Sequence, residues 1–512
     1  MNIIEEMDLR LRENKEVLVD SGPIIDVNPL SQKVGAFYEK IRYAVDYKEN
    51  HTIRRSAIER ILKRQMHEPT DKSQGLALLE ELVGGGYLPN REISENISSY
   101  LENLIKFYEV IAQGKVDETI RVSLLAAAID NAFADNNIND VLHESFFNHV
   151  KGFVSYQGKI DQTFFDLSLY MGARRAMFEE DNDMLRYSAM LYIMPWIEDV
   201  SDVSNEEISN KREEFVANLK LVNEVLEDEL GWKISSKLKN EAIYFNVLRE
   251  VWRIHGDNSL TVLEDKETRD HEVTNILNSK YYSTVKNSRS AGGRAVVYIL
   301  LTKVLIALAL ELPYEKFILG DVNHFALLVN ATFHPILLFI MISMIFMPGQ
   351  YNTDIILENL NSIILGEKRK NIYIKPVKSN NLAGDITFSF YAAVFLFTFG
   401  IIVYVLDMLN FNFISMLLFL LFLTVVSYFG FRIIDQSKKW TLRYESNSVF
   451  ALVWEFLTMP IVHTGRWLSR KFSSVNVFVF IMDFILETPF KLILGSFDSF
   501  ISFMRDKRDD LH

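Results

Sequence analysis

Three polar residues stand inside stretches of the sequence that are otherwise apolar. Asn330 and His334 lie in one such run, where Pro335 directly follows the histidine, and Lys303 lies in the run before it. An ionisable residue within a membrane span is a candidate functional residue, because its charge is costly in hydrocarbon. Lys303, Asn330 and His334 therefore form a candidate intramembrane polar site that could handle a proton or another ion.

These residues are predicted to lie at similar depths. At 1.5 Å per helical residue, Lys303 lies about 12 Å from the inner end of its span and His334 about 14 Å from the outer end of the next. The two depths differ by less than one turn in a hydrocarbon core about 30 Å thick. Asn330 and His334 share a helix face near the carbonyl of Ala331, which Pro335 leaves without its usual donor. In this functional interpretation Lys303 faces His334 across a helical hairpin.

A structural interpretation of the same residues stays open. Lys303 would then extend to the inner surface, while Asn330 and His334 would satisfy the proline kink and hold helices together. It is favoured by the third and fourth apolar runs, which offer no acidic partner, and by the lack of inverted repeat halves.

A basic helix and a polar stripe are the other candidate sites. The basic set could bind acidic lipid or an acidic partner, and consists of Arg54, Arg55, Arg60, Lys63 and Arg64. The alternative is a solvated face whose charges are interleaved with acids such as Glu59. The stripe consists of Asp483, Glu487 and Lys491, at four-residue spacing. Its two carboxylates are compatible with acid–base catalysis, whereas a salt bridge to the lysine is the simpler explanation.

No catalytic residue, metal site or cofactor is predicted. The chain has no cysteine, which excludes disulfides and thiolate zinc sites. The histidines of HESFFNH are six apart instead of four, and DNNINDVLHE lacks the glycine and glutamate of a calcium loop. The sequence contains no phosphate loop, nucleophile elbow or kinase motif.

Charge is distributed unevenly along the 512 residues. Residues 1 to 290 hold 35 Lys and Arg against 50 Asp and Glu, a net charge of −15, whereas residues 291 to 512 hold 19 against 17. An acidic half argues against nucleic-acid binding, which needs clustered basic residues. The N-terminus has no unbroken apolar stretch after a basic start and is not predicted to be a signal peptide.

The predicted fold class is all-α, in three regions. Residues 1 to 290 show helical apolar periodicity and are predicted to form a soluble, acidic, multi-helix domain. The periodic runs after the basic helix are about 74–83, 92–113, 117–133, 161–195, 204–230 and 234–255. The polar segment 264–290 fits a linker or a last helix leading to the membrane. A membrane domain follows at 291–447, and 448–512 is the third region.

Four runs in the middle region are long and apolar enough to span a bilayer: 295–312, 325–347, 387–406 and 413–434. Positive charge is concentrated in alternate loops, at Lys286, Arg289, Arg294, Lys368, Arg369, Lys370, Lys375, Lys378, Arg432, Lys438, Lys439 and Arg443, whereas the opposite loops contain only Lys316. By the positive-inside rule, the N-terminal domain and the C-terminus are cytoplasmic, at the cell (inner) membrane. The long loop is expected to hold a helix capped by Thr353 and ended by Gly366, then an extended piece, NIYIKPV.

The last region, 448–512, is apolar but repeatedly interrupted by charges and prolines. Basic residues at both of its ends favour a pair of amphipathic helices that lie in the membrane interface or re-enter it. A fifth span with a polar lining is the alternative.

Three function classes follow. The favoured one is a non-enzymatic membrane-anchored scaffold, whose partners are the lipid bilayer and a cytoplasmic protein or a second copy of the chain. The first alternative is a transporter or channel subunit using Lys303, Asn330 and His334. The second is a membrane-interface enzyme using Asp483 and Glu487.

Overall fold

The computed structural model of the chain confirms the all-α class, because its described residues are helical apart from one two-stranded sheet and short connections. The structure describes residues 3–13, 22–27, 32–33, 53–67, 72–133, 137–178, 180–200, 204–320, 322–376, 381–442 and 449–474. Asp483, Glu487 and Lys491 lie outside these ranges, so the polar stripe stays a prediction.

The described residues before 265 include the α-helices α1 (Ile3–Glu13), α2 (Ile53–His67), α3 (Gln74–Gly84), α4 (Ile97–Ala112), α5 (Glu118–Ala132), α6 (Asn137–Lys151), α7 (Gln162–Phe178), α8 (Asn182–Ile193), α9 (Asn205–Glu227), α10 (Leu230–His255) and α11 (Ser259–Glu264). The predicted run 161–195 is two helices, because Asp181 accepts a hydrogen bond from the Met184 amide and starts α8. Ser204 and Glu207 form a reciprocal capping box at the start of α9.

The apolar half contains α12 (Lys266–Ile306), α13 (His324–Ser343), α14 (Gln350–Ile364), α15 (Asn381–Met408), α16 (Phe413–Ser437) and α17 (Val449–Ser474). Two π-helical turns, Ala307–Glu311 and Glu315–Leu319, continue the chain beyond α12. The polar segment 264–290 is thus helical instead of an irregular linker, and the predicted domain boundary near 290 falls inside α12.

The chain divides into two compact units. The first, called here the N-terminal unit, contains the described residues of Glu6–Leu238 together with Lys370–Ile374. Its core is built from the apolar faces of α2 to α5 and α7 to α9, and four rings, Phe107, Tyr108, Trp196 and Phe215, meet edge to face within it. Burying such rings supplies much of the hydrophobic stabilisation of a core.

The sheet consists of β1 (Val154–Tyr156) and β2 (Ile372–Ile374), and both strands belong to the N-terminal unit. They pair in parallel with Val154 opposite Ile372. The extended piece predicted at NIYIKPV is therefore confirmed as a strand over Ile372–Ile374. Before it, α14 begins at Gln350 instead of at Thr353, whose side chain is buried within the helix, and it ends before Gly366 as expected. Gly366 has a φ of 69°, which glycine adopts at little cost.

The second unit, called here the apolar unit, contains the described residues of Met1–Glu5, Lys239–Arg369 and Lys375–Val475. Within it α12, α13 and α16 pack against one another, α16 packs against α17, and α17 against α15. Glycines allow these helices to approach closely: Gly292 lies against Ile342 and Gly465 against the backbone of Thr424. Small residues at helix contacts are typical of membrane bundles, where backbone proximity gives dispersion contacts that lipid cannot match.

Among the described residues, four helices are long and apolar enough to cross a membrane: Lys266–Leu319, His324–Ser343, Ser389–Met408 and Phe413–Ser437. They contain or overlap the four predicted spans, although α13 ends at Ser343, four residues before the predicted end at 347. Pro335 lies inside α13 and Pro460 inside α17 without ending either helix.

Candidate functional site

A buried polar chain joins the first two apolar helices. The Lys303 ammonium of α12 donates a hydrogen bond of 2.8 Å to the Asn330 Oδ1 of α13. Both side chains have 0% of their surface exposed. The Lys303 Nζ also lies 4.2 Å from the centroid of the Phe422 ring of α16, a cation–π contact. The lysine is therefore turned into the bundle and does not extend toward an end of its helix.

The same amide continues the chain to Glu311. Asn330 Nδ2 donates to Glu311 Oε2 at 2.7 Å, and Ser415 Oγ of α16 donates to that oxygen at 3.1 Å. Glu311 is 1% exposed, and its Oε1 has no hydrogen-bond partner among the described residues. Asn330 thus bridges a cation and an anion, which brings their opposite charges together without a direct ion pair.

A π-helical turn explains why Glu311 reaches this place. In a regular α-helix, positions 303 and 311 would be separated by about 80° around the axis. The turn Ala307–Glu311 has the amide of Leu312 bonded to the carbonyl of Ala307, which accommodates about one extra residue. That extra residue rotates position 311 back toward the face that carries Lys303. Such bulges are frequent at functional sites.

His334 lies one turn beyond Asn330 and contacts two backbone carbonyl oxygens. Its Nδ1 lies 3.2 Å from the Asn330 carbonyl oxygen, and its Nε2 lies 3.0 Å from the Phe419 carbonyl oxygen of α16. The imidazole is 0% exposed and is surrounded by the rings of Phe333, Phe419 and Phe422. The three predicted residues therefore lie in one cluster, in which Asn330 contacts the other two; a direct pairing of Lys303 with His334 stays a prediction.

A second buried carboxylate lies at the adjoining helix ends. Glu315 is 2% exposed. Its Oε2 accepts from the Asn323 backbone amide at 3.0 Å, and its Oε1 accepts from Asn412 Nδ2 at 2.6 Å. Asn323 and Asn412 also cap the N-termini of α13 and α16. Because every contact here fixes a helix start, Glu315 has a positioning role, and Glu311 is the carboxylate with a free acceptor.

The cluster of Lys303, Asn330, Glu311, Ser415 and His334 is called here the polar cluster. It combines a cation, an anion and an imidazole in surroundings that are otherwise apolar. Charges interact strongly where water is excluded, so adding one proton or one ion would change the electrostatic energy of the cluster considerably. Such an arrangement can bind and release a proton or a small ion. Within the ranges that the structure describes, no group of three or more His, Cys, Asp or Glu residues could hold a metal ion.

The basic residues of α2 are distributed between the core and several ion pairs. Arg55 is buried and donates to Asp181, while Arg54 Nε donates to Asp130 Oδ1 at 2.5 Å. Arg64 donates to Glu81, and Lys63 Nζ donates to Glu59 Oε1 at 2.7 Å. Arg60 is half-buried. The helix therefore uses most of these cations within the N-terminal unit, and lipid or partner binding by the set stays a prediction.

The sequence patterns do not predict Glu311 and Ser415 as site residues, for different reasons. Glu311 lies within the predicted span 295–312, near its end, where an acidic residue resembles the beginning of a loop. Its spacing of eight residues from Lys303 is the signal that could have identified it. Ser415 carries no such signal, because a serine is ordinary in the first turn of a helix. Its backbone amide donates there to the capping side chain of Asn412.

Comparison with protein-family models, with curated proteins and with solved structures found no match for the chain.

Proposed function

We propose that this protein is a multi-pass membrane protein whose four apolar helices cross the bilayer and whose polar cluster binds an ion in a channel or transporter. The observation that supports this function best is the chain from Lys303 through Asn330 to Glu311, buried between α12 and α13. Intramembrane ionisable residues commonly mark ion pathways.

The energetic cost of burying Lys303 and Glu311 favours a functional role for these charges over a role in helix packing alone. Removing two charges from water costs several kcal/mol per ion, and apolar side chains of similar volume often hold helices together as well or better. A role in helix packing alone would also not explain why the buried Glu311 Oε1 has no hydrogen-bond partner among the described residues. Such an unsatisfied acceptor destabilises the folded protein by about 1–3 kcal/mol. An ion or proton that visits this oxygen supplies the missing partner.

Orientation is part of the proposal. Basic residues flank the predicted inner ends of the spans, and only Lys316 lies in the opposite loops. This asymmetry supports a cytoplasmic N-terminal unit and a cytoplasmic C-terminus at the cell (inner) membrane.

The proposed function is tested with the purified full-length protein in liposomes. Ion-sensitive dyes would report the flux of H⁺, Na⁺, K⁺ and Cl⁻ under imposed gradients. Lys303→Met and Glu311→Gln are expected to reduce the flux of the transported ion, since each removes one of the two charges of the polar cluster. Lys316→Met is the matched control, because Lys316 is exposed on the same continuous helix. The absence of flux of all four ions in liposomes that contain the wild-type protein would contradict the proposal.

A second candidate is a membrane-anchored scaffold. It is supported by the N-terminal unit, which has a large hydrophobic core of its own and so resembles a folded module. Its partner would be a protein or a second copy of the chain. Affinity capture with the full-length protein and with a chain that lacks residues 6–238 tests it: a partner retained only by the full-length protein supports this role. An equal set of captured proteins would contradict it.

A further inference from the structure

His334 is placed where both of its ring nitrogens face hydrogen-bond acceptors. Nδ1 lies 3.2 Å from the Asn330 carbonyl oxygen of its own helix, and Nε2 lies 3.0 Å from the Phe419 carbonyl oxygen of α16. A carbonyl oxygen only accepts, so each contact needs an N–H on the ring. Neutral imidazole carries one N–H and imidazolium carries two.

We infer that the ion handled by the polar cluster is the proton and that His334 is its binding residue; this inference rests on the proposed function. In the neutral ring one N–H donates to one carbonyl, and the other nitrogen directs a lone pair at the second. A proton that binds to that nitrogen converts imidazole to imidazolium and completes the second hydrogen bond. Release reverses this step from the same nitrogen, and no other bond changes.

A histidine with only a structural role would be arranged differently. Neutral imidazole is best satisfied by one donor and one acceptor, because one nitrogen gives a proton and the other receives one. Two acceptors, on α13 and α16, match only the charged form. The site therefore has the hydrogen-bond pattern of imidazolium, although apolar rings surround it.

The two charges of the polar cluster act on His334 in opposite senses. From α12 the Lys303 ammonium opposes a positive ring, and from the π turn Glu311 favours it. Both are linked to the ring's neighbour Asn330. From α16 the ring meets Phe419 and Phe422, which do not ionise. Because the cation and anion offset each other, binding one proton changes the cluster from neutral to singly charged.

The inference is tested first by proton flux. Full-length protein is reconstituted in liposomes that contain a pH-sensitive dye, and a pH gradient or a membrane potential is imposed. We expect proton flux in the wild type and a loss of about tenfold or more in His334→Gln, since the amide cannot accept and release a proton. His324→Gln is the matched control, because His324 begins the same helix and is exposed; its flux should equal that of the wild type.

The possible results distinguish a failure of the proton inference from a failure of the proposed function. Flux of Na⁺, K⁺ or Cl⁻ without protons would overturn the proton inference and leave the proposed function standing. Proton flux that His334→Gln does not change would also overturn the role of His334. No flux of any ion would overturn both.

Nitrogen NMR of ¹⁵N-histidine-labelled wild-type protein gives a measurement that does not depend on a variant remaining folded. The His334 signal is assigned by its absence in spectra of His334→Gln or, if that variant does not fold, of His334→Asn. On titration we expect one ring nitrogen to change from unprotonated to protonated while the other stays protonated. A ring that keeps one protonated nitrogen at every pH at which the protein stays folded would overturn the inference.

Discussion

Lys303 and Glu311, eight residues apart in one continuous helical segment, meet at opposite ends of the same side-chain amide, that of Asn330. The amide uses its oxygen for the cation and its nitrogen for the anion. Its two polar atoms thus match the two charges, which an apolar residue could not do. The two charged residues are therefore expected to be coupled energetically even though they form no direct ion pair.

A double-mutant cycle measures this coupling. Lys303→Met and Glu311→Gln should each reduce the free energy of unfolding, because each leaves the other group buried without its counter-charge. The double variant should lose less than the sum of the two, by about 1 kcal/mol or more. Chemical unfolding in detergent micelles measures all four proteins. A control cycle of Glu311→Gln with Lys316→Met should be additive within about 0.5 kcal/mol. Additivity in both cycles would show that Asn330 does not couple Lys303 to Glu311 energetically.

Helix contact in the apolar unit depends on Gly465. A Cβ atom at this position would overlap the Thr424 carbonyl oxygen, which is backbone and cannot turn aside. Gly465→Ala should therefore separate α16 from α17 and destabilise the protein by about 1–3 kcal/mol, the usual cost of overpacking. Thermal unfolding in detergent measures the change. Gly400→Ala is the control, since a methyl group there would meet no described atom within 4 Å, and it should be neutral or slightly stabilising in a helix. Equal melting temperatures for the two variants would contradict the close contact.

Much of this architecture follows from residue spacing. The apolar period predicts the helices, and run length predicts four long apolar helices, because each helix is specified by its own residues. The pairing of β1 with β2 joins Val154 to Ile372, more than 200 residues apart, and no local pattern encodes such a register. The π turn that directs Glu311 toward Asn330 is equally invisible, since it depends on which helices pack around it. Lys303, Asn330 and His334 were identifiable because polar residues are rare in apolar runs.

Orientation can be tested at two positions. Asn410, at a φ of 55° between α15 and α16, lies in a short loop predicted to be external, and the segment after Trp440 is predicted to be cytoplasmic. A reporter inserted at Asn410 should be active only outside the cytoplasm, and one fused after residue 440 only inside it. Accessibility of single introduced cysteines to an impermeant reagent is an independent check, and the natural chain has no cysteine to confuse it. The opposite pattern would reverse the proposed topology.

The N-terminal unit should lose stability in mild acid because of His143. Burial, and then the charge of Arg174, holds the pKa of His143 well below the usual value of 6.5. The ring lies against Tyr170, with 4.6 Å between centroids, and its Nε2 has no hydrogen-bond partner among the described residues. Above pH 6.5 the histidine is neutral in both the folded and the unfolded chain, so it adds no pH dependence. Below pH 6.5 only the unfolded chain binds the proton, which favours unfolding by up to about 1.4 kcal/mol per pH unit.

Urea unfolding of the full-length protein between pH 7.5 and 5 measures this dependence. His143→Phe keeps an aromatic ring among the same neighbours and removes the titrating group, so the free energy of unfolding should fall less steeply below pH 6.5 than in the wild type. His67→Phe is the control at an exposed position of α2 and should retain the wild-type slope. The difference between the two variants isolates His143 from the carboxylates, which titrate in all three proteins. Identical slopes would mean that His143 gains its proton equally in the folded chain, and that its burial does not exclude the charge.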